Sequence, residues 1–116
     1  DSGVRAFGVH PGGIMTPLQR HLEQEEMVAL GWMDKDGQPT ERVAKMFKTP
    51  TQGASTSLWA ATSPQLNDIG GVYCENCEVA APTDDGENAR FIGVNDWAVD
   101  SEEASRLWDE TERMLS

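Results

Sequence analysis

Thr49-Pro50-Thr51-Gln52-Gly53-Ala54-Ser55-Thr56-Ser57-Leu58-Trp59-Ala60-Ala61-Thr62-Ser63-Pro64 is the stretch that decides the fold. Thr49 suits an N-cap, Pro50 the first helical position, and Gln52, three residues after the cap, completes a capping box. The spacing predicts a helix to about Thr62, ended by Ser63-Pro64, with Ala54, Leu58 and Ala61 as the stripe that meets a sheet. Beyond it, Ile69-Gly70-Gly71-Val72-Tyr73-Cys74 reads as a short strand. Ahead of it, Gly3-Val4-Arg5-Ala6-Phe7-Gly8-Val9-His10, halted by Pro11-Gly12-Gly13, reads as another. Strand, helix and strand in that order make a crossover unit, so a parallel pair in an α/β sheet is expected.

Between the first strand and the helix, Leu18, Leu22, Met27 and Leu30 fall near helical spacing over Thr16 to Leu30, which reads as a surface helix, whole or broken. Asp34-Lys35-Asp36-Gly37 is a turn cluster, and Thr40 to Lys48 reads as a second short helix using Val43, Met46 and Phe47. Residues 82–96, with Pro82, Asp84, Asp85, Gly86, Glu87, Asn88, Asn95 and Asp96, have loop composition. Asp100 then caps a last helix, with Glu103 three residues on and Ala104, Leu107, Trp108, Met114 and Leu115 as its apolar stripe. A buried parallel strand needs a neighbour on each side and normally follows other structure, so a further portion ahead of Asp1 is expected.

The 116 residues bound the chain to one ordinary domain. Leu, Ile, Val and Phe together number only 21, and the net charge is -11; part of the chain is therefore expected to be loose. Residues 1–58 carry 6 Lys/Arg against 7 Asp/Glu, while residues 59–116 carry 3 against 13, which puts the acid in the second half. That balance argues against nucleic acid and against an anionic membrane surface, because both require clustered cations. No apolar run approaches a membrane span, and Asp1-Ser2-Gly3 is not a basic leader. With two cysteines and no disulfide framework, a cytoplasmic setting is the expectation.

Cys74-Glu75-Asn76-Cys77 could hold zinc or shuttle a disulfide, but only His10 and His21 remain as further ligands, without ligand spacing. A redox pair would also be expected at a helix N-terminus rather than at a strand end. The pair reads instead as one residue finishing a strand and one in the next loop, and no metal site is expected. His10 has no evident nucleophile partner. Glu23, Glu25 and Glu26 match no calcium loop and read as a solvated face. The four tryptophans are too dispersed for a base-stacking platform; Trp59 and Trp108 suit core or interface anchors. Pro11-Gly12-Gly13-Ile14-Met15-Thr16 says more: it sets a side-chain-free turn at the carboxyl edge of a parallel sheet, where α/β folds bind ligands.

Taken in order, residues 3–16, then Lys48-Thr49-Pro50-Thr51-Gln52-Gly53-Ala54, Trp59-Ala60-Ala61-Thr62-Ser63-Pro64 and Gly70-Gly71-Val72-Tyr73-Cys74, resemble the C-terminal part of short-chain dehydrogenases/reductases. The similar branch is that of the retinol dehydrogenases and WW-domain oxidoreductases, and Ala98 to Leu115, with Leu107-Trp108, is similar to its last helix. The resemblance implies the C-terminal portion of a doubly wound, Rossmann-type parallel sheet that binds NAD or NADP. It divides the chain into a strand and cofactor turn (1–16), a substrate loop (17–48), a helix and last strand (49–80), an acidic loop (81–97) and a C-terminal helix (98–116). It also assigns roles. Pro11, Gly12 and Gly13 form the turn beside the nicotinamide, the Ile14 backbone meets the carboxamide, and Thr16 bonds the carboxamide or pyrophosphate. Met15, Leu18, Leu22, Met27 and Trp32 face an apolar alcohol or carbonyl substrate.

The departures bear on activity. No Gly-x-x-x-Gly-x-Gly follows a strand, Tyr73 is the sole tyrosine, and position 77 is Cys, so the family's Tyr-x-x-x-Lys pair is missing. The expectation is a segment of an NAD(P)-dependent oxidoreductase without catalytic residues of its own, inactive alone. Its unpaired strand edge implies self-association or docking to the missing N-terminal half. The rival reading is a noncatalytic binding or oligomerisation module derived from the same fold.

Overall fold

Two short strands, β1 (Phe7–His10) and β2 (Val72–Glu75), run parallel in the computed structural model, which describes residues 3–83 and 92–116. Phe7 stands opposite Val72 and His10 opposite Glu75. Between them in sequence lies a helix, α3 (Pro50–Thr62), packed against both strands, so the expected crossover unit is present. Its capping box is closed in both directions. Thr49 Oγ1 accepts from the Gln52 N–H at 3.2 Å, and Gln52 Oε1 accepts from the Thr49 N–H at 2.9 Å.

The buried stripe of α3 is Gly53, Thr56 and Ala60, not the expected Ala54, Leu58 and Ala61; Leu58 is 64% exposed. Volume explains the difference. A Cβ built at Gly53 would lie 2.1 Å from Ile14 Cδ1, so the helix approaches the rest of the fold on the side where a side chain is absent. Ala60 joins Leu66 and the fully buried Cys74 in a small core, with Phe7, Val9, Trp59 and Val72 packed around it. The Arg5 guanidinium donates to Leu66 O, tying the segment before β1 to the turn after α3.

A third strand, β3 (Glu78–Val79), pairs antiparallel with β2 and makes the sheet mixed, three strands where the sequence reading had two. The hairpin turns on Asn76 and Cys77, whose φ angles are 49° and 61°. Positive φ at both central residues is what a two-residue hairpin turn with the right twist requires. The Cys-x-x-Cys pattern is thus a strand end and a turn: Cys74 is buried, Cys77 is exposed, and both are free thiols.

The expected surface helix over Thr16 to Leu30 is two separate pieces, a 3₁₀ turn (Pro17–His21) and α1 (Gln24–Ala29). Each has its own start: Gln19 Oε1 accepts from the Thr16 N–H at 2.7 Å, and Glu26 Oε2 from the Glu23 N–H at 2.9 Å. Leu22 and Glu23 between them are extended. Next comes α2 (Glu41–Met46), capped by Thr40, whose Oγ1 accepts from the Val43 N–H at 3.4 Å. The last helix, α4 (Ser101–Leu115), starts at Asp100, which accepts from the Glu102 and Glu103 N–H groups. None of its residues is buried; Leu107, Trp108, Met114 and Leu115 all face out.

The accessible surface is 9260 Å², where a folded monomer of this mass exposes about 6,200 Å². Asp84, Asp85, Gly86, Glu87 and Asn88, read as acidic loop, lie outside the described residues.

Candidate functional site

The carboxyl ends of β1 and β2, with the segments that leave them, enclose a cleft of about 720 Å³. Such edges are where open α/β sheets bind ligands, because the loops leaving neighbouring strands part there. His10, Gly12 and Gly13 form one wall, and Tyr73, Glu75 and Asn76 continue it along β2. Leu30, Trp32, Val43, Met46 and Phe47, from α1, α2 and their flanks, line it as well, with Ile92 and Gly93.

Gly12 has φ of +89°, and a Cβ there would lie 2.9 Å from Lys48 Cδ. At Gly13 a Cβ would lie 2.9 Å from Phe47 Cε1. Both positions thus need glycine for different reasons, the first for conformation as well as space and the second for space alone. Phe47 also meets Trp32 edge-on, with ring centroids 5.8 Å apart and planes at 67°, which makes a continuous aromatic wall against the turn. His10 and Tyr73, which also line the cleft, stack with ring centroids 6.5 Å apart.

Glu75 is the buried charge of the site, 5% exposed, and its Oε1 accepts from the Gly93 N–H at 2.7 Å. That bond pins the segment after residue 91 to the end of β2. Burial pushes the Tyr73 phenol above its ordinary value, and the Glu75 carboxylate adds to the shift by disfavouring a second negative charge. Burial likewise raises the Cys74 thiol. Among the described residues, no three His, Cys, Asp or Glu side chains converge as a metal site would require.

Of the residues expected to face cofactor or substrate, Gly12, Gly13 and Trp32 line the cleft. Pro11, Ile14, Met15, Leu18, Leu22 and Met27 are not on its wall, and Leu18 is 76% exposed. Thr16, also off the wall, uses its hydroxyl locally: Oγ1 accepts from the Leu18 N–H at 3.2 Å and donates to Gln19 Oε1 at 3.2 Å. Ile14 bridges to Lys48 and its carbonyl accepts from Gln19 Nε2 at 3.1 Å. The sequence reading passed over Phe47, Lys48, Glu75 and Asn76. Tyr73 and Glu75 share a sheet face by strand alternation, a signal that could have drawn attention to Glu75.

Three comparisons bear on this arrangement. A protein called "Probable oxidoreductase" from Streptomyces lividans is 42% identical over 107 residues, 92% of this chain and 35% of the relative. "Short-chain dehydrogenase/reductase prx1" from Penicillium roqueforti is 35% identical over 114 residues, 98% of this chain and 31% of the relative. Human retinol dehydrogenase 11 is 31% identical over 108 residues, 93% of this chain and 27% of the relative. The chain thus spans about a third of the length of the relatives it matches. No family model matches it, and no solved structure does.

Proposed function

Because the chain belongs to the short-chain dehydrogenase/reductase family and corresponds to its C-terminal part, we propose that it forms the nicotinamide and substrate side of an NAD(P)-dependent oxidoreductase that interconverts an alcohol and a carbonyl compound. The observation that carries this reading is the Gly12-Gly13 turn at the carboxyl end of β1, open on the cleft. The glycines of the turn let Lys48 and Phe47 close onto its backbone, and the cleft beside it is large enough for a small organic ligand such as the flat end of a dinucleotide.

In this reading Pro11, Gly12 and Gly13 form the floor under the nicotinamide, the Ile14 backbone meets its carboxamide, and Thr16 reaches the carboxamide or the pyrophosphate. The bound dinucleotide supplies the donor or acceptor of the hydride. The protein's own work here is to hold and to exclude water. Trp32, Phe47, Met46 and Val43 present an apolar wall to the substrate, which favours an apolar alcohol or carbonyl compound and keeps the reacting centre dry. Of the substrate contacts that the resemblance implies, Met15, Leu18, Leu22 and Met27 serve a longer ligand that extends beyond the cleft. The only tyrosine, Tyr73, is not followed four residues later by lysine. Proton transfer is therefore assigned to residues other than these, and this chain by itself is expected to be inactive.

The test is dinucleotide binding and turnover by the full-length polypeptide that carries this chain, with medium-length aldehydes and either reduced dinucleotide. Saturable binding and oxidation of the dinucleotide are expected, both lost on Gly12→Val. Absence of dinucleotide binding by the full-length protein would refute the reading.

One feature favours a second reading, a binding or oligomerisation module: the exposed apolar side chains of α4, Leu107, Trp108, Met114 and Leu115. It predicts self-association without nucleotide affinity. No described helix is long and apolar enough to cross a membrane.

A further inference from the structure

Three segments of the site meet at one side chain. The Lys48 backbone N–H donates to Gly13 O at 2.8 Å, within a bridge between Lys48 and Ile14. Its methylenes lie over Gly12, where a Cβ would come within 2.9 Å of Cδ and 3.0 Å of Cε. Its ammonium donates to Asn76 Oδ1 at 2.6 Å, 28 positions further along the chain and at the tip of the β2–β3 hairpin. That tip is itself anchored. The Cys77 N–H donates to Thr56 Oγ1 at 3.2 Å, and Thr56 is 1% exposed on the inner face of α3. Among the described residues Lys48 forms no ion pair with a carboxylate, so the neutral amide of Asn76 is the ammonium's recorded partner.

We propose that Lys48 is a positioning residue, a strut between the hairpin tip and the Gly12-Gly13 turn that fixes the nicotinamide end of the cofactor site. The inference rests on the reading of that turn as the dinucleotide's floor. Gly12 and Gly13 have no side chains with which to hold themselves, and a turn made of glycine loses the most entropy when ordered. Lys48 orders it from outside. Its backbone fixes Gly13, its stem covers Gly12, and its head is fastened to a hairpin that α3 holds in place. Asn76 has a matching role. Its φ of 49° suits asparagine better than most residues, and the same backbone geometry aims its amide oxygen at the ammonium.

The experiment compares Lys48→Met, Lys48→Arg, Asn76→Gly and the Lys48→Met/Asn76→Gly double variant in the full-length polypeptide. Glycine occupies positive φ without strain, so Asn76→Gly removes the amide and leaves the turn. Each of Lys48→Met and Asn76→Gly should raise KM for the dinucleotide about three- to tenfold, the worth of one hydrogen bond, with kcat nearly unchanged. The double variant should be no worse than either single one, and Lys48→Arg should recover most of the loss. Backbone amide exchange supplies a readout independent of activity: residues 10–16 and 74–79 should lose protection together in either single variant. Additive effects on KM, or exchange that quickens in one segment alone, would overturn the proposal. If the parent protein neither binds nor turns over a dinucleotide, the functional reading fails, and the exchange experiment still decides the strut.

Discussion

Cys74 and Cys77 stand three positions apart and face opposite environments. Cys74 is fully buried, with its thiol raised by burial, while Cys77 is exposed on the hairpin turn. One thiol should therefore react with an aromatic disulfide reagent at mildly alkaline pH in the native protein and two after denaturation; two fast native thiols would contradict the buried placement. Tyr73 is raised in the same direction, first by burial and then by Glu75. The unfolded chain loses that phenolic proton near the ordinary value of 10.0, while the folded chain keeps it. Above that pH the unfolded state binds fewer protons, so stability present below about pH 10 falls as pH rises through the folded value. Tyr73→Phe should flatten this alkaline loss in a series of denaturant titrations. Gly93 has no room for a side chain. Its φ is +88°, and a Cβ would lie 2.9 Å from Ala81 O and 3.1 Å from Thr83 Cα, backbone that cannot swing aside. Gly93→Ala should cost about 1–3 kcal/mol in thermal unfolding. At this scale the sequence named Gly12, Gly13 and Trp32, which line the cleft. It passed over Lys48 and Glu75 because what defines them is a partner 28 and 18 positions away, and no local pattern records such a pairing.

Elements were more legible where their determinants are local. The Thr49 and Asp100 caps were readable because a cap and the backbone N–H that donates to it lie within three residues. Thr49→Ala should lower stability by about 1 kcal/mol, read as a fall in Tm, since it removes the hydroxyl that accepts from the Gln52 N–H while the backbone arm of the box remains. Asp100→Ala should instead lower the helical circular dichroism signal and spare the sheet, because α4 buries nothing against the described residues. The buried face of α3 was misread because sheet contact selects Gly53, Thr56 and Ala60 for small volume, whereas a hydrophobicity stripe selects Leu58. The hairpin went unseen for a related reason. Asn76-Cys77 lacks the glycine that usually marks a two-residue turn, and only the pairing of Glu75 with Glu78 reveals it.

At the scale of the whole molecule, the α/β class and the order of its parts were legible, since a crossover unit follows from three elements in sequence. The extent of the exposed surface was not. The radius of gyration is 17.8 Å, whereas a compact domain of this length has about 13 Å. Together with the bare face of α4, this predicts that the isolated chain associates, with a sedimentation mass above 12.7 kDa. Trp108→Glu with Leu115→Glu should shift that mass downward if α4 forms the contact. A strict monomer that gives well-dispersed amide signals would refute the prediction. The register of the parallel pair also sets a clock. Phe7 finds Val72 only after about 65 further residues have been added, a wait of about 3–13 s at ribosomal speeds of about 5–20 residues per second. The β2–β3 hairpin, by contrast, closes within about 1–10 μs of its emergence. Once made, β1 thus waits for β2, and for those seconds Phe7 and Val9 lack that partner and are within reach of any chaperone at the tunnel exit.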